Sequence, residues 1–291
     1  MAAEVDRVIV VMGATGLQGG AVARHLLADG WKVRAVTRKP EGENARVLRA
    51  LGAEVVQADM EDPATLTPVF AGAYGAYSVQ NTLTAGVEKE IRQGKNVADA
   101  AKAAAVRHVV YSSAGNGAAG SGVPSWESKL VIEAYMRSLD LPLTVLRPMA
   151  FMELMTEKKF FPQVSTWNVM GKVMGGGRPV PWLSAADLGE IAAKAFAEPE
   201  RYIGKNIALA SDVLTLDECR ALYREALGKT PARSPMPVWL FRRFGIVGQD
   251  LTAMWGWLRA NQIDLDTAPA RAIHPEALTV RAWLERQKGE G

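Results

Sequence analysis

Val8 to Met12 is an uninterrupted apolar run of strand length, and directly behind it stand Gly13, Gly16 and Gly19 at three-residue spacing, leading into an apolar pattern of helical period. A strand, a glycine turn and a helix in that order make the unit that holds a dinucleotide in a doubly wound parallel sheet. Gly13 permits the tight turn off the strand. Gly16 removes the Cβ that would keep the backbone from a pyrophosphate, and Gly19 lets the helix pack closely on the sheet. The N–H groups of the helix's first turn have no partner within the helix, so they face the phosphates. Glycine supplies 27 of the 291 residues, so the triplet alone says little and the flanking strand and helix carry the inference. Gly13, Thr15, Gly16, Leu17, Gln18 and Gly19 are the candidate cradle.

The segments that follow alternate between strand and helix at short intervals, the pattern of a parallel sheet with right-handed crossovers. A first helix over about 17–28 stops at Gly30, and Trp31 to Thr37 alternates as a second strand ending in Thr37-Arg38-Lys39-Pro40. In an NAD-specific site an acidic side chain about 20 residues past the glycines binds the ribose hydroxyls; here Arg38 stands 19 residues past Gly19, beside Lys39. A guanidinium pairs with a 2′-phosphate, which favours NADP(H) over NAD. A third strand, Glu54 to Ala58, closes on Asp59 and Met60, where an adenine edge would lie. Asp62 and Pro63 open a short helix to Phe70. A fourth strand, Ala73 to Val79, ends on Gln80 and Asn81, toward the nicotinamide side of the crevice. A helix over about 87–105 leads to the strand Arg107 to Ser113. Ala114 to Val123 holds four glycines and reads as a mobile loop over the site. A helix to about Leu139 and a sixth strand, Leu141 to Arg147, follow.

The break at Pro148 to Phe151 predicts a division into an NADP-binding Rossmann domain over 1–150 and a smaller, mostly helical substrate or partner lobe over 151–291, with segments near 178–210 returning to the first. Asn168 to Met174 reads as a strand, Ser184 as the cap of a helix reaching Ala197, and Lys205 to Ala210 as a return to the sheet. Thr215 to Glu218 has capping-box spacing for a helix to Leu227. Phe151, Met152, Met155, Trp167 and Trp182 are candidates to line an apolar substrate pocket, although a core role is the commoner one for such residues. Trp239, Phe241, Phe244, Trp255 and Trp257, among Arg242, Arg243 and Arg259, read as the core of a helical lobe rather than a base-stacking surface.

A net charge of +3, evenly spread, argues against a nucleic-acid partner. The single Cys219 excludes an internal disulfide and a multi-cysteine zinc site, which fits a reducing cytosol. His25, His108 and His274 show no pairing for a metal or a hydrolytic triad, so no metal is expected. No apolar run approaches the roughly 20 residues that cross a bilayer, and no opening stretch resembles a leader. A cytoplasmic protein without a membrane partner is the expectation; the oligomeric state is not legible.

Gly13-Ala-Thr-Gly-Leu-Gln-Gly-Gly20, Thr37-Arg-Lys-Pro40, Val109-Val-Tyr-Ser-Ser113 and Trp126-Glu-Ser-Lys129 through Tyr135 together resemble the NmrA-like family of atypical short-chain dehydrogenase/reductases. Leu146-Arg-Pro148-Met-Ala-Phe151-Met-Glu153 and Ser184-Ala-Ala-Asp187-Leu-Gly189 extend the resemblance over about the first 210 residues. It implies a Rossmann domain with a smaller C-terminal lobe and NADP(H) as ligand, with Lys129, Pro148 and Phe151 among the cofactor contacts. The family it points to holds reductases of quinones or other small conjugated acceptors, and sensors of dinucleotide redox state that bind a regulatory protein.

The wider superfamily carries Tyr-x-x-x-Lys, in which the lysine lowers the pKa of the tyrosine so that it protonates the carbonyl as hydride arrives. Four residues before Lys129 stands Ser125, and Tyr135 lies six residues beyond, off the face that carries Lys129. Lys129 is left to bind the nicotinamide ribose. Ser112 and Ser113 stand where a polarising hydroxyl is placed, or equally as caps of the turn into the glycine loop. Two functions remain open. One is an NADPH-dependent reductase of a quinone or similar small-molecule acceptor with Lys129, Ser112 and Ser113 as catalytic residues, since hydride transfer to an electrophilic ring needs little acid catalysis by protein. The other is a non-catalytic NADP(H) redox sensor read by a protein partner.

Overall fold

A computed structural model describes residues 7–157, 165–231, 236–261, 263 and 266–289. Six strands, β1 (Val8–Val11), β2 (Lys32–Thr37), β3 (Glu54–Gln57), β4 (Gly75–Ser78), β5 (His108–Ser112) and β6 (Leu143–Pro148), alternate with helices. These are α1 (Leu17–Ala28), α2 (Glu43–Ala50), α3 (Pro63–Phe70), the single turn α4 (Thr82–Ala85), α5 (Val87–Ala103) and α6 (Pro124–Ser138). The strands pair in parallel in the order β3-β2-β1-β4-β5-β6, and a later strand, Asn206–Leu209, adds itself in parallel beside β6. The result is a doubly wound, Rossmann-type sheet whose strand order reverses between β1 and β4, the position where such sheets open a crevice at their carboxyl ends.

Alternation along the strands divides the core into two layers. Ile9 and Val11 face Val22, Ala23 and Leu26 of α1 and Leu188, Ile191 and Phe196 of α7 (Ala185–Ala197). Val10 and Met12 face Leu66 and Phe70 of α3, Val97 and Ala101 of α5, and Ile132 and Met136 of α6. Helices on both faces explain why β4, β5 and β6 are buried along their whole length. Local caps set the helix starts: Asp62 accepts from the Ala64 amide, and Ser184 Oγ accepts from the Asp187 amide at 3.0 Å.

A second, three-stranded sheet follows. β8 (Pro179–Leu183) lies between β7 (Ala150–Phe151), which it meets in parallel, and β10 (Asp212–Thr215), which it meets antiparallel; the returning strand of the main sheet is β9. Helices α8 (Leu216–Leu227), α9 (Gly245–Ala260) and α10 (Val280–Arg286) enclose a third core that includes Trp182, Cys219, Tyr223, Phe241, Trp255 and Trp283. The capping box of Thr215 and Glu218 forms, and Gly228 ends α8 in the left-handed conformation.

Two expectations change. Asn168 to Met174 is not a strand but part of a wide helix over Ser165–Gly175. Its buried Trp167, Met170 and Met174 recur at three and four residues, a helical and not an alternating period. Of the late aromatic residues, Phe241 and Trp255 are core, whereas Trp239 and Phe244 lie on the surface.

Helix α7 meets α1 closely because residue 189 has no side chain: a Cβ on Gly189 would lie 2.8 Å from the backbone of Ala21 and 2.7 Å from the His25 ring. Gly189→Ala should therefore lower stability by about 1–3 kcal/mol through overpacking. Gly256→Ala, in α9 with open space around it, should raise it by up to about 1 kcal/mol. Urea unfolding of both variants checks the pair; a neutral Gly189→Ala would show that α7 has room to shift.

Candidate functional site

The turn between β1 and α1 lies at the point of strand reversal. Gly13 has φ +63°, a left-handed conformation that glycine adopts without strain. A Cβ on Gly19 would lie 2.4 Å from the Gly13 carbonyl oxygen and 2.8 Å from that of Met12, so α1 rests directly on its own turn. Gly16 is the N-cap, in extended conformation, and no side chain caps the helix. The first-turn amides thus open onto the crevice, an arrangement that suits an anion. Gln18 is held inward. Its Oε1 accepts from Ser112 Oγ at 2.7 Å and from the Tyr77 hydroxyl at 3.3 Å, joining α1 to the ends of β4 and β5.

The loop after β2 is tied to this turn. Thr15 Oγ1 lies 3.3 Å from Thr37 Oγ1, the Lys39 amide donates to Thr37 Oγ1 at 3.1 Å, and Asn44 Nδ2 donates to the Thr15 carbonyl at 2.8 Å. Arg38 and Lys39 are exposed there, with their charge beside the glycines. Asn44 and its helix α2 had no sequence expectation, although buried Ala45 and Leu48 carry a helical spacing. Asp59 Oδ1 accepts from the Glu61 amide, and the Met60 carbonyl accepts from Asn96 Nδ2 at 2.8 Å. Asn81 caps α4 through the Leu83 amide. Gln80 is buried, its Nε2 on Ser78 Oγ at 3.0 Å, and its Oε1 has no partner among the described residues. A buried amide oxygen in that state calls for a ligand or a water.

Lys129, on α6, is buried against the opposite side of the crevice. Its Nζ forms an ion pair with Glu90 Oε1 and donates to the Gln80 carbonyl at 3.2 Å. Glu90 is fully buried on α5, and its Oε2 accepts from Thr82 Oγ1 and Ser128 Oγ. An ammonium has three donors, so one is left to point elsewhere. One turn earlier on the same helix, Ser125 donates to Asp250 twice: its amide to Oδ1 at 2.7 Å and its hydroxyl to Oδ2 at 2.9 Å. Asp250 comes from α9. Burial pushes its carboxyl above the usual range, with the two Ser125 hydrogen bonds and the charge of Lys129 acting against this and Glu90 adding to it. Sequence reading missed Glu90 and Asp250. Glu90 sits in Val-Glu-Lys-Glu, which reads as a solvated face, and Asp250 stands alone in an aromatic helix.

The other expected residues take these places. Ser112 is buried on Gln18, and Ser113 Oγ accepts from Arg147 Nη1 at 2.9 Å, while Arg147 forms a buried ion pair with Glu133. Burial holds the Tyr77 and Tyr111 hydroxyls well above the ordinary phenol range, so both stay protonated. Pro148 ends β6 and Phe151, half-buried, ends β7. Met152, Met155, Trp167 and Trp182 pack in the third core among other side chains, the two indoles donating to the carbonyls of Met155 and Leu214. His108 is buried, bonded to Thr144 Oγ1 at 2.8 Å and lowered to about 4 by burial; it starts β5, at the end of the sheet away from the glycine turn. His25 and His274 pair with Glu190 and Asp187.

A model of the NmrA-like family matches residues 5–284. An NmrA-like family domain-containing oxidoreductase, FrzB, of a Cladobotryum species is 34% identical over 259 residues, which cover 80% of this chain and 77% of that protein. Among solved structures, the negative transcriptional regulator NmrA in complex with NADP is similar with a TM-score of 0.77 at 22% identity, across 99% of this chain and 97% of that one. The NADPH-dependent quinone oxidoreductase QOR2 of Escherichia coli, complexed with NADPH, is similar with a TM-score of 0.73 at 22% identity, across 96% and 99%.

Because Glu90 is fully buried, Lys129→Met should cost about 3 kcal/mol by leaving a carboxylate without its cation. Adding Glu90→Gln should restore a large part of that loss. A double-mutant cycle by urea unfolding reads the coupling, and simple additivity would show that the two groups do not depend on each other.

Proposed function

Because the chain belongs to the NmrA-like family, we propose that it binds NADP(H) across the carboxyl ends of β1 and β4 and reduces a quinone or similar small conjugated acceptor. The observation that carries this reading is the bare N-terminus of α1: no side chain caps it, and no Cβ fits between Gly19 and Gly13. That is a cradle shaped for phosphate. The amides of Leu17, Gln18 and Gly19 would hold the pyrophosphate, with Gly13, Thr15 and Gly16 forming the wall. Arg38 and Lys39 would meet a 2′-phosphate, and Asp59 and Met60 the adenine edge. Gln80, Asn81 and the remaining donor of Lys129 would meet the nicotinamide ribose, with Pro148 and Phe151 beside the ring. The described residues beyond Ala150, apart from the segments returning to the main sheet, would form the lobe that meets the acceptor or a partner.

When bound, NADPH supplies a hydride. The chain's own groups orient and neutralise: Lys129 is balanced by Glu90, Ser112 is committed to Gln18, and Ser113 is fixed by Arg147. No tyrosine stands one turn before Lys129. An acceptor whose reduced form delocalises its negative charge suits such a site better than a simple ketone. The second reading is a redox sensor, favoured by Ser125 in the tyrosine's place; the similar solved structures carry names of both kinds.

Stopped-flow measurement of NADPH absorbance with a panel of quinones and aldehydes should show turnover with quinones. Tight NADPH binding with no turnover of any acceptor would leave the sensor. In calorimetry, Arg38→Ala should weaken NADP by about 1.5–3 kcal/mol, the value of a charge-assisted contact, and NAD much less. Equal losses would refute recognition of the 2′-phosphate by Arg38.

A further inference from the structure

Two buried carboxylates, Glu90 at 0% and Asp250 at 2% exposure, face a single buried ammonium, Lys129. Glu90 takes the direct ion pair and two hydroxyl donors besides. Asp250 has the Ser125 amide and hydroxyl, but no cation of its own among the described residues; the charges that act on it are Lys129, already paired, and Glu90, of like sign. Removing a second negative charge from water without a counter-ion is unfavourable, and burial holds the Asp250 carboxyl above its usual range, so the electrically balanced state of the cluster keeps one proton. Glu90 holds the ammonium directly and accepts two hydroxyls besides, which leaves Asp250 as the group that carries it.

We propose that Asp250 and Ser125 form a two-step proton relay beside Lys129, taking over proton donation at the position one turn before the lysine, where this chain has no tyrosine. The inference rests on the reductase reading above. Ser125 is half-buried, one helical turn before Lys129 on the same face of α6, and its Oγ is 2.9 Å from Asp250 Oδ2. With Asp250 protonated, the hydrogen bond between them reverses: the carboxylic acid donates to Ser125 Oγ, and the hydroxyl proton is free to turn toward the crevice. As the acceptor takes up the hydride and its electron pair from NADPH, its oxygen gains the Ser125 proton. Ser125 Oγ gains the Asp250 proton, and Asp250, now a carboxylate, is re-protonated by solvent when product leaves. A serine is a poor acid by itself; backed by a carboxylic acid, it never has to become an alkoxide.

Two readouts test this, one independent of turnover. In the infrared spectrum of the protein at neutral pH, wild type minus Asp250→Asn should show the carbonyl stretch of a protonated carboxyl. With menadione as acceptor, single-turnover NADPH oxidation by wild type should slow as pH rises through the ionisation of Asp250. Asp250→Asn should lose on the order of 10-fold in rate, the modest share left to a proton donor when the reduced acceptor delocalises its charge, and all of that pH dependence; Ser125→Ala should do the same, and Asp250→Glu should recover part of the rate. NADPH affinity, read by fluorescence, should be unchanged in all three. Absence of the carboxyl band overturns the relay, and so does an Asp250→Asn or Ser125→Ala variant that binds NADPH and keeps the wild-type rate and pH profile. Wild type that binds NADPH and reduces no acceptor overturns the reductase reading, and the relay with it.

Discussion

Everything at the crevice depends on how closely α1 rests on the turn that leads into it. With 2.4 Å between a hypothetical Cβ at Gly19 and the Gly13 carbonyl, the helix cannot tilt away or carry a side chain there, and its bare amides end over the junction of β1 and β4. Gln18, next to that contact, draws in Ser112 from β5 and Tyr77 from β4 through its side-chain Oε1. A single close approach thereby sets the uncapped start of α1 and the polar floor beneath it. Two further links, Thr15 to Thr37 and Asn44 to Thr15, bring the basic loop after β2 to the same place.

The opposite wall is governed by charge. Lys129 is not a free cation over the crevice but one member of a buried cluster supplied by α4, α5, α6 and α9. Burying an ammonium is tolerable only with a carboxylate and well-placed hydroxyls, and Glu90, Thr82 and Ser128 provide them. The charge of Lys129 is thereby balanced inside the wall, and the residue one turn before it is Ser125 instead of a tyrosine. Asp250 ties this wall to the C-terminal lobe, and the edge-on contact of Trp126 with Trp257, ring centroids 5.1 Å apart, reinforces the tie. The lobe is thus in contact with the helix that carries Lys129, which any function of the crevice must respect.

The second sheet accounts for residues whose patterns looked ambiguous. Met152, Met155, Trp167 and Trp182 are apolar side chains near a strand end, and local sequence does not distinguish a pocket from a core there. What decides is the arrival of β10 and the helices α8 and α10 from far along the chain, which cover them. Met170 and Met174, read from the sequence as strand residues, belong to the wide helix that packs against α9, and they join the same core.

The alternation of strands and helices, the glycine turn, the caps at Asp62, Ser184 and Thr215, and the return of a strand near residue 206 are all written in neighbouring residues, because periodicity, backbone freedom and capping act within a few positions. The likeness to the NmrA-like family rests on those same local signals. The partners of Lys129 and Ser125 are of another kind. Glu90 is 39 residues from Lys129 and Asp250 is 125 from Ser125, and neither leaves a local mark, since a buried carboxylate and a solvated one have the same neighbours in the chain. Sequence therefore determined the sheet and the cradle. Only the packing of α5 and α9 around α6 decided which carboxylates share the lysine, because pairing a buried charge is settled by proximity in space.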